Sequence, residues 1–158
     1  MANLCNKNVP CGTKPVFILG PTGSGKSAVA VELAEILGNA EIISADAYQV
    51  YKGMPIITAA PSFEELSRVK HHLVGFMDPT ENNDAAEHAR RAGAIVERLQ
   101  KGGMPPVLTG GSGLYVKFIS HGISPAPPSD PVLREELNAL SLEEAVCKLQ
   151  EADPEGAA

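Results

Sequence analysis

The chain has 158 residues, 44% of them hydrophobic and 20% charged, with a formal net charge of −6 at pH 7. That is a one-domain length with enough apolar residues for a core, and its negative balance excludes whole-chain electrostatic attraction to nucleic acid, leaving only a local site for such contact. Aromatic content of 4% with no Trp argues against base-stacking platforms, and no run approaches the roughly 18 apolar residues of a membrane span.

Residues 1–14 read as a flexible N-terminus whose polar start lacks the pattern of a signal peptide, so a soluble, cytoplasmic protein is expected. Cys5, Cys11 and Cys147 are odd in number and lack metal-ligand spacing, which fits free thiols in a reducing compartment. An α/β core is expected over 15–122. It opens with the apolar run Pro15–Leu19, a strand read as buried on both faces. A helical pattern follows from Lys26 to Leu37 and stops at Gly38-Asn39, and Glu41–Ser44 reads as a second strand ending at Asp46. Ser62 with Glu65 predicts a capping box for a short helix, and Asp84 with Glu87 predicts another before a helix running to about Lys101. Pro106–Thr109 is a third strand, followed by Gly110-Gly111-Ser112-Gly113 and an apolar helix through Phe118. Strands alternating with helices predict a parallel, doubly wound α/β sheet.

Residues 123–158 read differently. The Pro-rich stretch from Ser124 to Pro131 is a stiff linker, and two short helices are expected after it, the second capped by Ser141 and Glu144. Asp153-Pro154-Glu155 is a good helix opening with few residues after it, which suggests a fragment.

Gly20-Pro21-Thr22-Gly23-Ser24-Gly25-Lys26-Ser27 fits the strand–GxxxxGK[ST]–helix pattern in full. Its glycines let backbone N–H groups converge on phosphate oxygens, and the helix starting at Lys26 aims its positive end at the same anion. The Lys26 ammonium adds charge near the terminal phosphate, and the Ser27 hydroxyl suits a Mg²⁺ shell. The motif does not say what the phosphate belongs to. Asp46 falls at the sheet edge that carries this loop; a role at Mg²⁺ through water, a general base, and a plain turn cap are all open to it. Gly110–Gly113 repeats the anion-binding logic without a lysine, and Ser112 there reads first as an N-cap. His71 and His72 face opposite ways on an extended segment and read as structural. Arg90, Arg91 and Arg98 read as a solvated helix face.

Five ordered motifs together resemble the tRNA dimethylallyltransferase family: the loop at 20–27, Glu-Ile-Ile-Ser-Ala-Asp-Ala-Tyr-Gln-Val-Tyr-Lys-Gly-Met at 41–54, His-His-Leu at 71–73, Gly-Gly-Ser-Gly-Leu-Tyr at 110–115, and the Pro-rich stretch leading to Asp130-Pro131 and Arg134. The resemblance implies a P-loop NTPase-like parallel sheet flanked by helices, with a partial helical insertion segment, truncated at its C-terminal end. It implies transfer of a dimethylallyl group from dimethylallyl diphosphate, held with Mg²⁺ on residues 20–27. The acceptor would be the exocyclic amine of the adenine beside the anticodon of tRNA, flipped from its stack. Asp46 matches the family's catalytic carboxylate, and Ser112 stands where a Thr contacts the leaving group. Asp46, Ala47, Tyr48 and Gln49 with Ser112 match the segment facing tRNA, and Arg134 matches a tRNA contact. A monomer is expected.

Three departures stand beside this. Pro55-Ile56-Ile57-Thr58-Ala59-Ala60 replaces a common Asp-Ile-Gly-Thr-Ala-Lys and loses its basic residue. Ala47 replaces a Ser beside Asp46. Family members are also longer, so weak diphosphate binding and poor transfer are expected of these residues alone. Competing readings are a P-loop kinase or other ATP- or nucleotide-binding protein, an isopentenyltransferase acting on free adenine nucleotides, and an inactive remnant.

Overall fold

Alternation along the apolar strands sends successive side chains to opposite sheet faces, and both faces of this sheet are covered by helices. The computed structural model describes residues 13–123 and 130–157. In chain order the first unit comprises β1 (Val16–Leu19), α1 (Lys26–Leu37), β2 (Glu41–Ser44), α2 (Phe63–Arg68), β3 (His71–His72), α3 (Ala85–Lys101), β4 (Pro106–Gly110) and α4 (Gly113–His121). Four parallel strands pair in the order β1-β4-β2-β3. Ile42 and Val107 pack with Ala30, Val31 and Ala34 of α1 on one face. Their neighbours Ile43 and Leu108 pack with Ala92, Val96 and Leu99 of α3 and Ile119 of α4 on the other. This two-sided burial is why the strands read as continuous apolar runs rather than alternating ones.

β1 differs from expectation. It pairs with β4 alone among the described residues, and Val16 and Leu19 are 37% and 52% exposed. An apolar run identifies a strand, but its place in the sheet order decides how much of it is buried. β3 went unread because a two-residue strand carries no period; His71 and His72 pair with Ile42 and Ile43. Their rings bond locally: His71 Nδ1 lies 2.7 Å from the Val69 carbonyl, and His72 Nε2 lies 2.5 Å from Glu41 Oε2.

The Ser62 box at α2 closes in both directions. At α3 only half the expected box forms. Asp84 accepts from the Glu87 amide at 2.7 Å, whereas the Glu87 carboxylate turns outward to Arg90 and Arg91. Two arginines one turn ahead compete better for it than one backbone amide. Arg91 also lies over the Phe76 ring, 5.2 Å from its centroid.

Residues 130–157 belong to a second compact unit. α5 (Pro131–Asn138) opens on Asp130, with Pro131 in its first turn, and α6 (Leu142–Ala152) opens on a closed Ser141–Glu144 box. Asp153 starts one further turn, its Oδ1 accepting from the Gly156 amide. Cys147 is a free, exposed thiol on α6. The Pro-rich segment over 124–129 lies outside the described residues, as do Cys5 and Cys11. Among the described residues, no helix is long and apolar enough to cross a membrane.

Candidate functional site

The sheet order brings the C-terminal ends of β1, β4 and β2 side by side, the position at which open α/β sheets bind ligands. Each end continues into a loop holding residues singled out from the sequence: 20–27 after β1, 46–49 after β2 and 110–113 after β4.

In the first loop, Gly23 and Gly25 both take φ +79°, a left-handed geometry that residues with a Cβ rarely adopt. Gly25 is the N-cap of α1 and offers no side-chain cap. The first intrahelical bond is Val29 N–H to the Gly25 carbonyl, so the amides of Lys26, Ser27 and Ala28 are donors without a backbone acceptor. Three such amides at the positive end of a helix form an anion cradle. Lys26 Nζ donates to the Pro21 carbonyl at 2.6 Å, which curls its ammonium over the loop. The Ser27 hydroxyl lines the same cleft and has no protein partner among the described residues.

The glycines at 110 and 111 are required by crowding. A Cβ on Gly110 would lie 2.6 Å from the Ala45 carbonyl carbon, and one on Gly111 would lie 2.9 Å from the Gly20 carbonyl oxygen. The bare backbone of β4's exit therefore touches both flanking loops. Its glycines thus permit close approach of three loops, a requirement that the anion-binding reading of this turn did not include.

Ser112 occupies the N-cap position of α4 but makes no cap bond. Its hydroxyl instead accepts from the Ala47 amide at 3.2 Å, tying β4's loop to β2's. The plain N-cap reading is thereby corrected.

Asp46 serves as a turn cap through one of its two carboxylate oxygens. Its Oδ1 accepts from the amides of Tyr48 at 2.9 Å and Gln49 at 3.4 Å, which fixes the carboxylate. Oδ2 has no hydrogen-bond partner among the described residues. Gln49 is held at both ends of its amide: Oε1 accepts from the Ser44 hydroxyl at 2.8 Å, and Nε2 donates to the Ala59 carbonyl at 2.9 Å. Ala59 takes φ +47°, strained backbone at the point where the 55–60 segment meets Gln49.

Thr22, Gly23, Gly25, Lys26, Ser27, Asp46 and Gln49 line one cleft of about 350 Å³, within the range of small-molecule sites. Gly20, Pro21 and Ser24 shape the loop behind it. Tyr48 is 67% exposed at the rim, and Ala47 is held by Ser112. Arg134 lies on α5, in the second unit. Sequence reasoning missed Thr58, Ala59, Glu65 and Thr109, which also line the cleft; two of them come from irregular backbone around 58–59 that carries no motif.

His88 was missed too. It is fully buried on α3, its Nε2 is 2.8 Å from the Ser44 carbonyl, and its ring meets Tyr115 edge-on at 5.0 Å. Burial pushes the imidazole's pKa below its ordinary value, outweighing the opposing pull of the Ser44 carbonyl and the Asp46 charge. The spacing Ala85, His88, Ala89, Ala92, Val96, Leu99 was a legible signal, because it puts His88 on the helix's buried face. Among the described residues no three His, Cys, Asp or Glu side chains gather as a metal cluster. Ser27 instead offers a single hard oxygen beside the anion cradle, the donor type that Mg²⁺ accepts when phosphates and water complete its shell.

A family model described as IPP transferase matches residues 49–158. The chain is 53% identical over 143 residues to the tRNA dimethylallyltransferase of Akkermansia muciniphila, covering 90% of this chain and 48% of that protein. It is 43% identical to the one from Sphingopyxis alaskensis, over 90% of this chain and 46% of that protein. Among solved structures, the full-length tRNA isopentenylpyrophosphate transferase of Bacillus halodurans superposes with a TM-score of 0.68 at 36% identity, over 90% of this chain and 48% of that one. A eukaryotic dimethylallyltransferase acting on tRNA gives 0.79 at 25% identity, over 92% and 37%. The chain spans about half the length of the curated relatives it matches.

Proposed function

The chain belongs to the IPP transferase family, and from that premise we propose that it carries the diphosphate clamp and the base of a tRNA dimethylallyltransferase. The observation supporting this reading is the convergence of an amide cradle, Lys26, Ser27 and the anchored Asp46 on one cleft. The substrate is dimethylallyl diphosphate, and the acceptor is the exocyclic amine of the adenine next to the anticodon.

The amine's lone pair forms the new N–C bond at the substrate's C1. The C1–O bond breaks, and its electron pair leaves with the diphosphate. The amides of Lys26, Ser27 and Ala28 and the Lys26 ammonium stabilise that growing negative charge, in a geometry fixed before the reaction begins. Mg²⁺ beside the Ser27 hydroxyl supplies further charge neutralisation when bound. Asp46 Oδ2 takes the proton the amine loses, while the Tyr48 and Gln49 amides on Oδ1 hold the carboxylate in place. Gln49, locked between Ser44 and Ala59, presents a fixed polar edge to the adenine. Ser112 braces the Ala47 backbone on the far side of Asp46. Arg134 contacts the tRNA, and the protein works as a cytoplasmic monomer.

The test offers the full-length protein Mg²⁺, dimethylallyl diphosphate and, in turn, an anticodon stem-loop, AMP or ATP. Mass gain by one dimethylallyl group on the stem-loop is the expected result. Gain on AMP instead, or ATP turnover without prenylation, would overturn the reading.

A further inference from the structure

We propose that His88 is a positioning residue for the Asp46 turn, acting through the Ser44 carbonyl from outside the cleft. The functional half of this rests on the transfer reading above; the structural half does not.

The need for His88 arises from the sheet. Backbone groups of successive strand residues point alternately to the two neighbouring strands. The Ile42 amide bonds to the Lys70 carbonyl on the β3 side, and the Ala45 amide bonds to the Thr109 carbonyl on the β4 side. Ser44's carbonyl therefore faces β3. β3 has ended by then: it stops at His72, and Leu73 takes φ +60°, turning the chain off the sheet. A buried carbonyl at that point needs a donor, and His88 Nε2 supplies it at 2.8 Å. The peptide joining Ser44 to Ala45 is thus gripped from both sides, its C=O by His88 and its N–H by Thr109. Asp46 follows directly. Downstream, the Ser112 hydroxyl holds the Ala47 amide. From the same residue, the Ser44 hydroxyl reaches Gln49, so one anchor serves the carboxylate and the amide together.

The other ring nitrogen argues that His88 is more than filler. Nε2 must carry the hydrogen to bond a carbonyl, which leaves Nδ1 as a bare lone pair. That atom is buried with no hydrogen-bond partner among the described residues. An apolar side chain would fill the same space without burying an unmatched polar atom. The histidine's benefit is its Nε2 donor.

Residue-resolved amide exchange on the chain itself tests the positioning without turnover. His88→Leu should speed exchange of the Tyr48 and Gln49 amides, the two bound by Asp46, by about tenfold or more. The Leu108 amide in β4 should be unchanged. His88→Gln places an Nε2 donor near the lost one and should restore protection; His88→Asn, too short to reach, should behave like His88→Leu and replaces it if that variant does not fold. Unchanged exchange at Tyr48 and Gln49, equal acceleration at Leu108, or no rescue by His88→Gln would overturn the proposal.

In the full-length protein, His88→Leu should lower single-turnover transfer by about tenfold or more with little change in the KM for dimethylallyl diphosphate, and His88→Gln should recover it. A loss confined to KM would overturn the proposal. A parent protein that transfers nothing would sink the transfer reading instead, and the exchange result would still decide the role of His88.

Discussion

Gly110→Ala is the sharpest perturbation the site allows, because its new atom meets backbone rather than a flexible side chain. The added Cβ would lie 2.6 Å from the Ala45 carbonyl carbon and 3.1 Å from its Cα. Carbon atoms prefer about 3.5 Å or more, so the end of β4 must part from the β2 exit by about 1 Å. Both segments are paired strands with buried flanks, and overpacking of such sites costs about 1–3 kcal/mol. The displacement also falls between Asp46 and the first loop, where a misplacement of about 1 Å can lower a rate roughly 100-fold. Urea unfolding of the chain reads the first effect, and single-turnover transfer by the full-length protein reads the second. Gly93→Ala is the control: a Cβ there meets nothing within 4 Å, and replacing a mid-helix Gly should stabilise by about 0.5–1 kcal/mol. A Gly110→Ala protein within about 0.5 kcal/mol of the parent and undiminished in transfer would refute the close-approach reasoning.

Leu108→Ala should cost about 2–5 kcal/mol in urea unfolding, since Leu108 is fully buried beneath α3 and α4. Stability should decline as pH falls below about 6.5. Burial lowers the pKa of both His71 and His88, so the unfolded chain takes up protons there before the folded one does, and the stability present above that pH is progressively lost. His88→Gln, which removes one of the two groups, should make this decline shallower in urea titrations at a series of pH values. Lys26→Met should weaken inorganic diphosphate binding by calorimetry by about 1.5–3 kcal/mol, the range for a hydrogen bond to a charged group, with the fold unchanged by circular dichroism.

Much of this architecture was legible because its signals are local. The 20–27 loop declares itself through glycines that must take positive φ and a helix start without a side-chain cap. Ser62 and Ser141 mark their helices through boxes that close within four residues. What escaped was set by distant contacts. Ser112 looked like a cap because the Ala47 amide it serves is 65 residues away. Glu87 looked like half of a box until Arg90 and Arg91 claimed it. The exposure of β1 follows from its place in the sheet order, which no single strand reveals. His88 sat in plain sight on a buried helical face, but its role depends on β3 ending at His72, one strand position short of Ser44. Asp46 shows the limit most clearly: spacing left cap and base as rivals, whereas the carboxylate caps its turn through one oxygen and leaves the other without a partner among the described residues.

The central claim is that one cleft joins a diphosphate clamp to an independent base, and Asp46→Asn separates the two. In the full-length protein, single-turnover transfer from dimethylallyl diphosphate to an anticodon stem-loop should fall about 100- to 10,000-fold, the range for losing a positioned general base, while diphosphate affinity stays within about twofold. Transfer close to that of the parent protein would contradict the account.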